Sequence, residues 1–287
     1  MAGMSPRAPL AEVVDFYDRH PISAPQVLDA LRRQGKGGAR LDLDDLGELD
    51  HDHYGGRAAV EALARRAALR PGARVLDVCA GLAGPARFLA ARFGVRVLAL
   101  DLNAGRCAGG ACLTRLTGLE ALVRPVRADA QVLPLRSGVF SAVVSQEGLL
   151  HVPDKGRVLA ECARVLEPGG RIAFTDWIAT PRLADNERAR LTTWMAAVSL
   201  QSIAGYAALL ARVGFGGIEA EDVSAEWIDI LRRRFAMYRG LREDTVARLG
   251  EARYEEYRQL YAFFVGLVEQ GKLGGARFSA GAARGAA

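Results

Sequence analysis

The sequence predicts an α/β protein with a parallel, doubly wound sheet. Between residues 57 and 176, apolar segments of strand length alternate with segments of helical periodicity, the connections are short, and polar residues follow the strand ends. Alternation of this kind places parallel strands in one sheet with helices on both faces. Half of the 287 residues are hydrophobic, so the chain can bury a large core.

Each predicted element follows from a local pattern. Short apolar runs predict strands, and apolar residues repeated every three or four positions predict helices. The N-terminal region has two such helices, one over residues 8–18 and one that begins after Ser23 as its N-cap. The strands are predicted at 74–79, 95–100, 122–127, 139–145 and 170–176, with helices at 57–68, 85–93, 104–117 and 154–166.

The composition limits the class of partner. The net charge is +5, and three lysines stand against 35 arginines, which is a bias of the whole sequence rather than a nucleic-acid footprint. The four cysteines have no Cys-x-x-Cys spacing, as is typical of reduced thiols. No apolar run reaches membrane-spanning length, and the chain does not begin with a signal-peptide core. We therefore expect a soluble, cytoplasmic protein without a nucleic-acid or membrane partner.

The strand at 74–79 leads into a loop of small residues and then into a helix. Such a loop lets backbone N–H groups approach a ligand, and a helix N-terminus favours an anion beside it. Asp77, at the strand end, is expected to order the loop amides. The pattern predicts a nucleotide-type cofactor site, although a glycine-containing turn also occurs wherever a helix packs closely on a sheet.

Carboxylates follow the next two strands as well. Ligands of open α/β sheets bind at the carboxyl ends of the strands. Asp101 is placed there to accept both ribose hydroxyls, and Asp129 to accept an adenine amino group. The sequence lacks Gly-x-Gly-x-x-Gly, which disfavours a nicotinamide dinucleotide. The strand ends therefore predict a site for an adenosine.

The segment at 51–56 is rich in polar residues. The spacing of His51 and His53 occurs in metal sites, but no further ligand lies at a recognisable distance along the sequence. We expect a polar loop that delivers Tyr54 to the cofactor site, and no metal.

Four segments carry a resemblance to a known family. They are Gly84-Pro-Ala-Arg-Phe-Leu-Ala, Gln146-Glu-Gly-Leu-Leu-His-Val-Pro-Asp-Lys, Glu161-Cys-Ala-Arg-Val-Leu-Glu-Pro-Gly-Gly and Gly271-Lys-Leu-Gly-Gly-Ala-Arg-Phe. From about Tyr54 onward the chain resembles the class I S-adenosylmethionine-dependent methyltransferases, which have a Rossmann-like fold. Within them it is similar to the branch that includes glycine, sarcosine and dimethylglycine N-methyltransferases. The resemblance implies S-adenosyl-L-methionine as the cofactor and a small molecule as the acceptor.

The resemblance also implies cofactor contacts. It places Gly81 and Gly84 at the methionine part, Asp101 at the ribose and Asp129 at the adenine. The full set of implied cofactor-binding residues is Tyr54, Asp77, Cys79, Gly81, Asp101, Leu102, Asp129, Ala130 and Gln146.

Two loop residues depart from the family's pattern. Cys79 and Ala83 stand where the family usually has glycine. A side chain is costly there only if the backbone needs a positive φ. The departure keeps open a second class of function, a non-methylating binding or isomerising protein on the same fold.

The resemblance implies the domain organisation of the C-terminal part. The final strand, at 273–279, returns antiparallel, so residues 223–270 form a helical insertion before it. We expect an N-terminal helical cap over 1–56, a methyltransferase domain over 57–280 and a disordered tail over 281–287. The aromatic residues of the insertion have helical spacing, which suits a packing stripe, a cover for the site or a contact between two subunits, and a homodimer stays open.

The expected reaction needs little acid–base chemistry. Methyl transfer from a sulfonium is an in-line displacement, so the protein mainly holds a nucleophile in a dry pocket. A neutral amine attacks directly, whereas a hydroxyl needs a base, for which His151 and Glu147 are the candidates. The candidates to face a cationic substrate or the sulfonium are Tyr17, Tyr54, Trp177 and Tyr206. We expect an amine nitrogen as the acceptor, with carbon, oxygen and sulfur as alternatives.

Overall fold

A computed structural model describes residues 8–18, 22–37, 40–47, 49–51 and 53–283 of the chain. None of the helices in these residues is long and apolar enough to cross a membrane. The helices are α1 (Ala8–Asp18), α2 (Ala24–Arg33), α3 (Leu43–Leu46), α4 (Gly56–Arg66), α5 (Gly84–Phe93), α6 (Ala104–Leu116), α7 (Lys155–Val165), α8 (Asp185–Met195), α9 (Ile203–Arg212), α10 (Ser224–Gly240), α11 (Arg242–Leu249) and α12 (Glu251–Glu269), and a short 3-10 helix covers Leu149–His151.

Seven strands form one mixed sheet. They are β1 (Arg74–Val78), β2 (Arg96–Asp101), β3 (Val123–Arg127), β4 (Phe140–Gln146), β5 (Leu166–Ala179), β6 (Phe215–Asp222) and β7 (Leu273–Ala282). The strand order is β3-β2-β1-β4-β5-β7-β6. The first five strands in this order are parallel, and β7 lies antiparallel between β5 and β6. The order reverses between β1 and β4, which is where an open α/β sheet has its ligand crevice.

The core lies on both faces of the sheet. In β1, Val75 belongs to the apolar cluster on one face, with helices α4 and α5, and Leu76 belongs to the cluster on the other face, with α7 and α9. Both side chains are fully buried. Burial on both faces explains why the parallel strands have continuous apolar runs in the sequence rather than alternation.

The predicted fold class is confirmed, and the differences concern single elements. Strand β6 was not predicted, because most of its residues are exposed and it contains Gly216 and Gly217, so it has no apolar alternation. Strand β7 continues through Ala282, so Gly281 and Ala282 pair in the sheet instead of belonging to a tail. The rest of the predicted tail, 284–287, lies outside the described residues.

Ser23 is the N-cap residue of α2 as expected, but its side chain does not cap the helix. Its side chain makes no capping hydrogen bond to the helix backbone and instead donates to Gln26 Oε1 at 2.7 Å. The first turn is formed with Pro25 in it, where a missing N–H costs nothing.

A cofactor-type cavity at the carboxyl ends of the strands

The loop between β1 and α5 has a left-handed backbone at three places. Gly81 has φ +55°, and Cys79 and Ala83 both have φ +59°. The two positions at which this sequence departs from the family's glycines are therefore positions where a Cβ is disfavoured, by about 1–2 kcal/mol each. The loop has this shape in spite of the two side chains. Ala83 is the N-cap residue of α5 and is fully buried.

Asp101 holds this loop. Its Oδ2 accepts from the Gly81 N–H at 2.8 Å, and its Oδ1 accepts from the Asn103 N–H at 2.9 Å. We expected Asp77 to order the loop amides, but the hydrogen bond to Gly81 comes from the end of the next strand instead. A carboxylate oxygen accepts more than one hydrogen bond, so Asp101 retains capacity for a ligand's hydroxyls.

Asp77 is a buried carboxyl group with an unsatisfied oxygen. Only 3% of the residue is exposed, and its Oδ2 has no hydrogen-bond partner in the described part of the chain. Burial, and then the nearby Asp101, raise the pKa of Asp77 to about 8. A buried carboxyl group that lines a cavity and lacks a partner suits a ligand that brings a positive charge or a donor.

The segment around Tyr54 closes over the loop through contacts with β4. The Tyr54 N–H donates to Glu147 Oε1 at 2.8 Å, and Gln146 Nε2 lies 3.2 Å from His53 Nδ1. His51 Nδ1 and His53 Nε2 are 3.0 Å apart. Burial, followed by the positive charges of nearby arginines, lowers the pKa of His51 to about 4. His51 is thus neutral near neutral pH.

Tyr17 and His151 meet across the cavity. The Tyr17 hydroxyl lies 2.7 Å from His151 Nε2, and His151 Nδ1 lies 2.9 Å from the carbonyl oxygen of Ala196. A carbonyl only accepts, so Nδ1 carries a proton, and in the neutral imidazole Nε2 then presents a lone pair to the tyrosine hydroxyl. The ring of Tyr17 also packs under the Arg106 guanidinium, whose carbon lies 4.4 Å from the ring centre. The pair can accept a proton at the tyrosine oxygen.

The 3-10 helix that carries His151 rests on a buried polar network. Lys155 Nζ donates to the Leu149 carbonyl oxygen at 2.5 Å. The Leu150 N–H donates to Asp176 Oδ1 at 3.3 Å, and the other oxygen of Asp176 accepts from the Tyr206 hydroxyl. Burial lowers the pKa of Lys155 to about 8 and raises that of Asp176 to about 6. Tyr206 is therefore committed to this network and does not face a substrate.

One cavity of about 680 Å³ brings the candidate residues together. Its lining contains the catalytic candidates and, except for Gly84, all the cofactor-binding candidates: Tyr17, Tyr54, Asp77, Cys79, Gly81, Asp101, Leu102, Asp129, Ala130, Gln146, Glu147 and His151. Trp177 lines it too, whereas Tyr206 does not. Gly84 lies beneath the segment before Tyr54, since a Cβ there would meet the Asp50 carbonyl oxygen at 2.5 Å.

Helices supply the far wall of the cavity. It is lined by Leu10, Val13 and Phe16 of α1, Trp194 and Met195 of α8, and Tyr257, Leu260, Tyr261 and Phe264 of α12. Arg234 of α10 also lines it, with its guanidinium carbon 4.6 Å from the centre of the Tyr54 ring. Thr193 of α8 and Arg253 and Glu256 of α12 line the cavity as well, so the helical side is mixed, with apolar, aromatic and charged side chains.

Sequence reasoning did not find Asn103, Arg106 or Arg234. Asn103 has a readable local signal, because it is an N-cap residue two positions after Asp101 and directly before a helix. Arg234 has no such signal, since the segment that it contacts lies 181 positions away along the chain.

A sheet of this topology, with carboxylates at three neighbouring strand ends around one cavity, defines an enzyme of the nucleoside-cofactor class. The family described as "Methyltransferase domain" matches residues 76–174. Methyltransferase GfsG of Streptomyces halstedii is 32% identical over 219 residues, which are 75% of this chain and 76% of that protein. The chain therefore belongs to the S-adenosylmethionine-dependent methyltransferases.

Two further similarities concern N-methyltransferases. The glycine/sarcosine/dimethylglycine N-methyltransferase of Actinopolyspora halophila is 35% identical over 165 residues, which are 58% of this chain and 29% of that protein. The structure of Haemonchus contortus phosphoethanolamine N-methyltransferase 2, with phosphomonomethylethanolamine and S-adenosylhomocysteine, superposes with a TM-score of 0.77 at 19% identity. The superposition covers 98% of this chain and 61% of the Haemonchus chain. The chain thus spans about a third of the first protein and three fifths of the second.

Proposed function

We propose that this protein transfers the methyl group of S-adenosyl-L-methionine to a small-molecule acceptor. The observation that carries the proposal is the cavity itself, which has Asp77, Asp101 and Asp129 on one side and the Tyr17–His151 pair on the other. A bound S-adenosylmethionine supplies an electrophilic methyl group on a cationic sulfur. The protein has to hold the acceptor in line with it and exclude water.

The residues fit this cofactor on the evidence of Asp77. Its buried oxygen lacks a partner, and the cofactor carries positive charge. In this proposal Asp77, Cys79, Gly81 and Gln146 surround the methionine part. Asp101 with Leu102 holds the ribose, Asp129 with Ala130 holds the adenine, and Tyr54 covers the site.

An amine nitrogen is the first acceptor that we propose. Glu147 lines the cavity beside Tyr54 and provides negative charge for an ammonium group, in addition to its hydrogen bond with the Tyr54 N–H. The relatives named as N-methyltransferases support this choice.

A hydroxyl acceptor is the second candidate, and one contact favours it. The Tyr17 hydroxyl is already hydrogen-bonded to the lone pair of His151 Nε2, so a proton lost from the acceptor has a path to the histidine through the tyrosine. The apolar side chains that α1, α8 and α12 contribute to the cavity suit an acceptor with an apolar body next to its reactive group.

Calorimetry with S-adenosylmethionine and S-adenosylhomocysteine tests cofactor binding. We expect both to bind, and Asp101→Ala to weaken both by about tenfold or more, as expected for loss of a charged hydrogen-bond acceptor. Glu243→Ala, which removes an exposed carboxylate on α11, is the matched control and should bind as the unchanged protein does. The proposal is lost if neither compound binds.

Mass spectrometry of reactions with separate amine, phenol and thiol pools identifies the acceptor. A mass increase of one methylene in the amine pool supports the first candidate, and one in the phenol pool supports the second. Tight cofactor binding without product in any pool would favour a non-methylating protein on this fold.

The remaining expectations belong to the same proposal. The four cysteines are free thiols, as suits a cytoplasmic enzyme. A homodimer stays a prediction, which light scattering of the purified protein tests.

A further inference from the structure

Asn103 connects the cofactor wall of the cavity with the N-terminal helix. It is 3% exposed and follows the ribose-side carboxylate Asp101 by two positions. Its N–H donates to Asp101 Oδ1 at 2.9 Å, and its side-chain Oδ1 accepts from the Arg106 N–H at 2.9 Å as the N-cap of α6. The side-chain oxygen of Asn103 therefore makes its hydrogen bond within its own turn.

The side-chain NH₂ group of Asn103 contacts helix α1. Asn103 Nδ2 donates to Asp18 Oδ1 at 2.8 Å and lies 3.4 Å from the Val14 carbonyl oxygen. Only this orientation of the amide satisfies all partners, because the Arg106 N–H needs an acceptor and the carboxylate of Asp18 needs a donor.

Asn103 meets α1 at the last residue of that helix that the structure describes. Over the described residues, α1 runs through Asp18 and has no basic residue in its last turn. A carboxylate at a helix C-terminus is disfavoured by the helix dipole, and the last carbonyl groups lack donors from within the helix. The amide of Asn103 meets both requirements from outside the helix.

The position of α1 decides where Tyr17 lies. Tyr17 is next to Asp18, and its hydroxyl contacts His151 while its ring packs under Arg106. Asn103 and Arg106 come from one turn of the chain, directly after Asp101. We propose that Asn103 is a positioning residue that holds α1 over the cavity and so keeps Tyr17 against His151 when the cofactor is bound at Asp101. This inference rests on the proposed function for its kinetic part.

An exchange of the amide and the carboxylate across the contact tests the proposal. Asn103→Asp keeps the N-cap oxygen but removes both donors and sets a carboxylate against Asp18. We expect kcat to fall about tenfold or more while the affinity for S-adenosylhomocysteine stays within about threefold. Adding Asp18→Asn restores a donor from the opposite side, and the double variant should recover kcat to within about threefold of the unchanged protein.

Hydrogen–deuterium exchange gives a readout that needs no acceptor. In the presence of S-adenosylhomocysteine, the amides of α1 should exchange faster in Asn103→Asp than in the unchanged protein, and the double variant should return them to slow exchange. Ser202→Asp is the control, since it places the same side chain at the N-cap of α9 and should alter neither exchange in α1 nor kcat.

The two readouts separate the proposals. If the unchanged protein methylates no acceptor but exchange in α1 responds as described, the proposed function fails and the role of Asn103 in holding α1 stands. If Asn103→Asp leaves kcat and exchange unchanged, or if Asp18→Asn does not restore them, the role of Asn103 is overturned and the proposed function is untouched.

Discussion

Asp77 is a buried carboxyl group whose ionised form costs the fold stability. Its carboxyl group is buried without a partner for Oδ2, and its pKa is raised from 3.8 to about 8, first by burial and then by Asp101. Because the folded state holds the proton more tightly, the contribution of this group to stability is present below its unfolded pKa and is lost as the pH rises toward 8.

Asp77→Asn should remove this loss. We expect the difference in melting temperature between the variant and the unchanged protein to increase from pH 5 to pH 8 in favour of the variant. We also expect the affinity of the variant for S-adenosylmethionine to be about tenfold lower at pH 8, because the cation loses its carboxylate partner. Thermal unfolding across this pH range and calorimetry measure the two effects. The control is Asp229→Asn, at a side chain that is 63% exposed, which should change neither. Equal pH dependence in both variants would contradict the role given to Asp77.

Tyr17→Phe tests the proton path at single-atom scale. The change removes the hydroxyl that contacts His151 Nε2 and keeps the ring under Arg106. If the acceptor loses its proton through this pair, kcat should fall about 100-fold with unchanged cofactor affinity. Tyr238→Phe is the matched control, because its hydroxyl contacts only the Tyr254 carbonyl oxygen among its described hydrogen bonds. A kcat for Tyr17→Phe within about twofold would rule the pair out as the base.

How far single residues could be predicted depends on where their partners lie. Asp101 and Asp129 were singled out because a carboxylate at or just after the end of an apolar strand is a local pattern. Asn103 was missed because its decisive partner, Asp18, lies 85 positions earlier. No property of the sequence near Asn103 shows which distant helix needs a donor there.

The segment before Tyr54 is joined to helix α5 by a buried ion pair. Arg87 is fully buried, and its Nη2 lies 2.5 Å from Asp50 Oδ2. Its Nη1 donates to the Gly110 carbonyl oxygen and the Thr114 hydroxyl at 3.2 and 3.0 Å, so the guanidinium ties three elements together. Helix α5, which follows the loop after β1, thus supports the segment that closes over that loop.

Arg87→Met should destabilise the protein by about 3–5 kcal/mol, because it leaves the Asp50 carboxylate buried without a positive charge. Urea unfolding measures this. Combining it with Asp50→Leu should recover part of the loss. Arg65→Met, which breaks an exposed pair with Glu61 at 3.5 Å, is the control and should change stability by less than about 0.5 kcal/mol. Similar losses in the two single variants would refute the buried pair's importance.

At the scale of the whole molecule, one glycine pair fixes how the insertion docks on the sheet. A Cβ at Gly274 would lie 2.0 Å from Ser224 Oγ, and one at Gly275 would lie 2.3 Å from the Trp227 ring. Trp227 in turn packs 5.1 Å from the Tyr54 ring, centre to centre. The bare backbone of β7 therefore lets α10 lie close enough to complete the cavity.

Gly275→Ala should push α10 away from the sheet. We expect a loss of about 1–3 kcal/mol in unfolding free energy, the cost of overpacking, and weaker cofactor binding through the displaced Tyr54. Gly216→Ala, where a Cβ meets nothing within 4 Å, is the control and should leave both unchanged. Chemical unfolding followed by the fluorescence of the three tryptophans measures stability, and calorimetry with S-adenosylhomocysteine measures cofactor affinity. If Gly275→Ala changes neither the unfolding free energy nor cofactor binding, the position of α10 does not depend on this contact.

The layout of the whole molecule was predictable where the chain alternates regularly. The five parallel strands follow from their apolar runs, and the antiparallel return of β7 from the resemblance to a family. The polar edge strand β6 was not predictable, because its residues pair through the backbone and bury little apolar surface. The closing wall of the cavity depends on packing between helices, which no local pattern encodes.

The left-handed Cys79 ties two distant stretches of sequence to each other. A Cβ at Gly148, just before the 3-10 helix that carries His151, would lie 2.4 Å from the Cys79 Cβ. Position 148 therefore tolerates no side chain as long as position 79 has one. Redesign of the cavity wall at position 148 gains freedom if glycine is first placed at 79, so mutational libraries that vary the two positions jointly will reach sequences that stepwise changes at 148 do not.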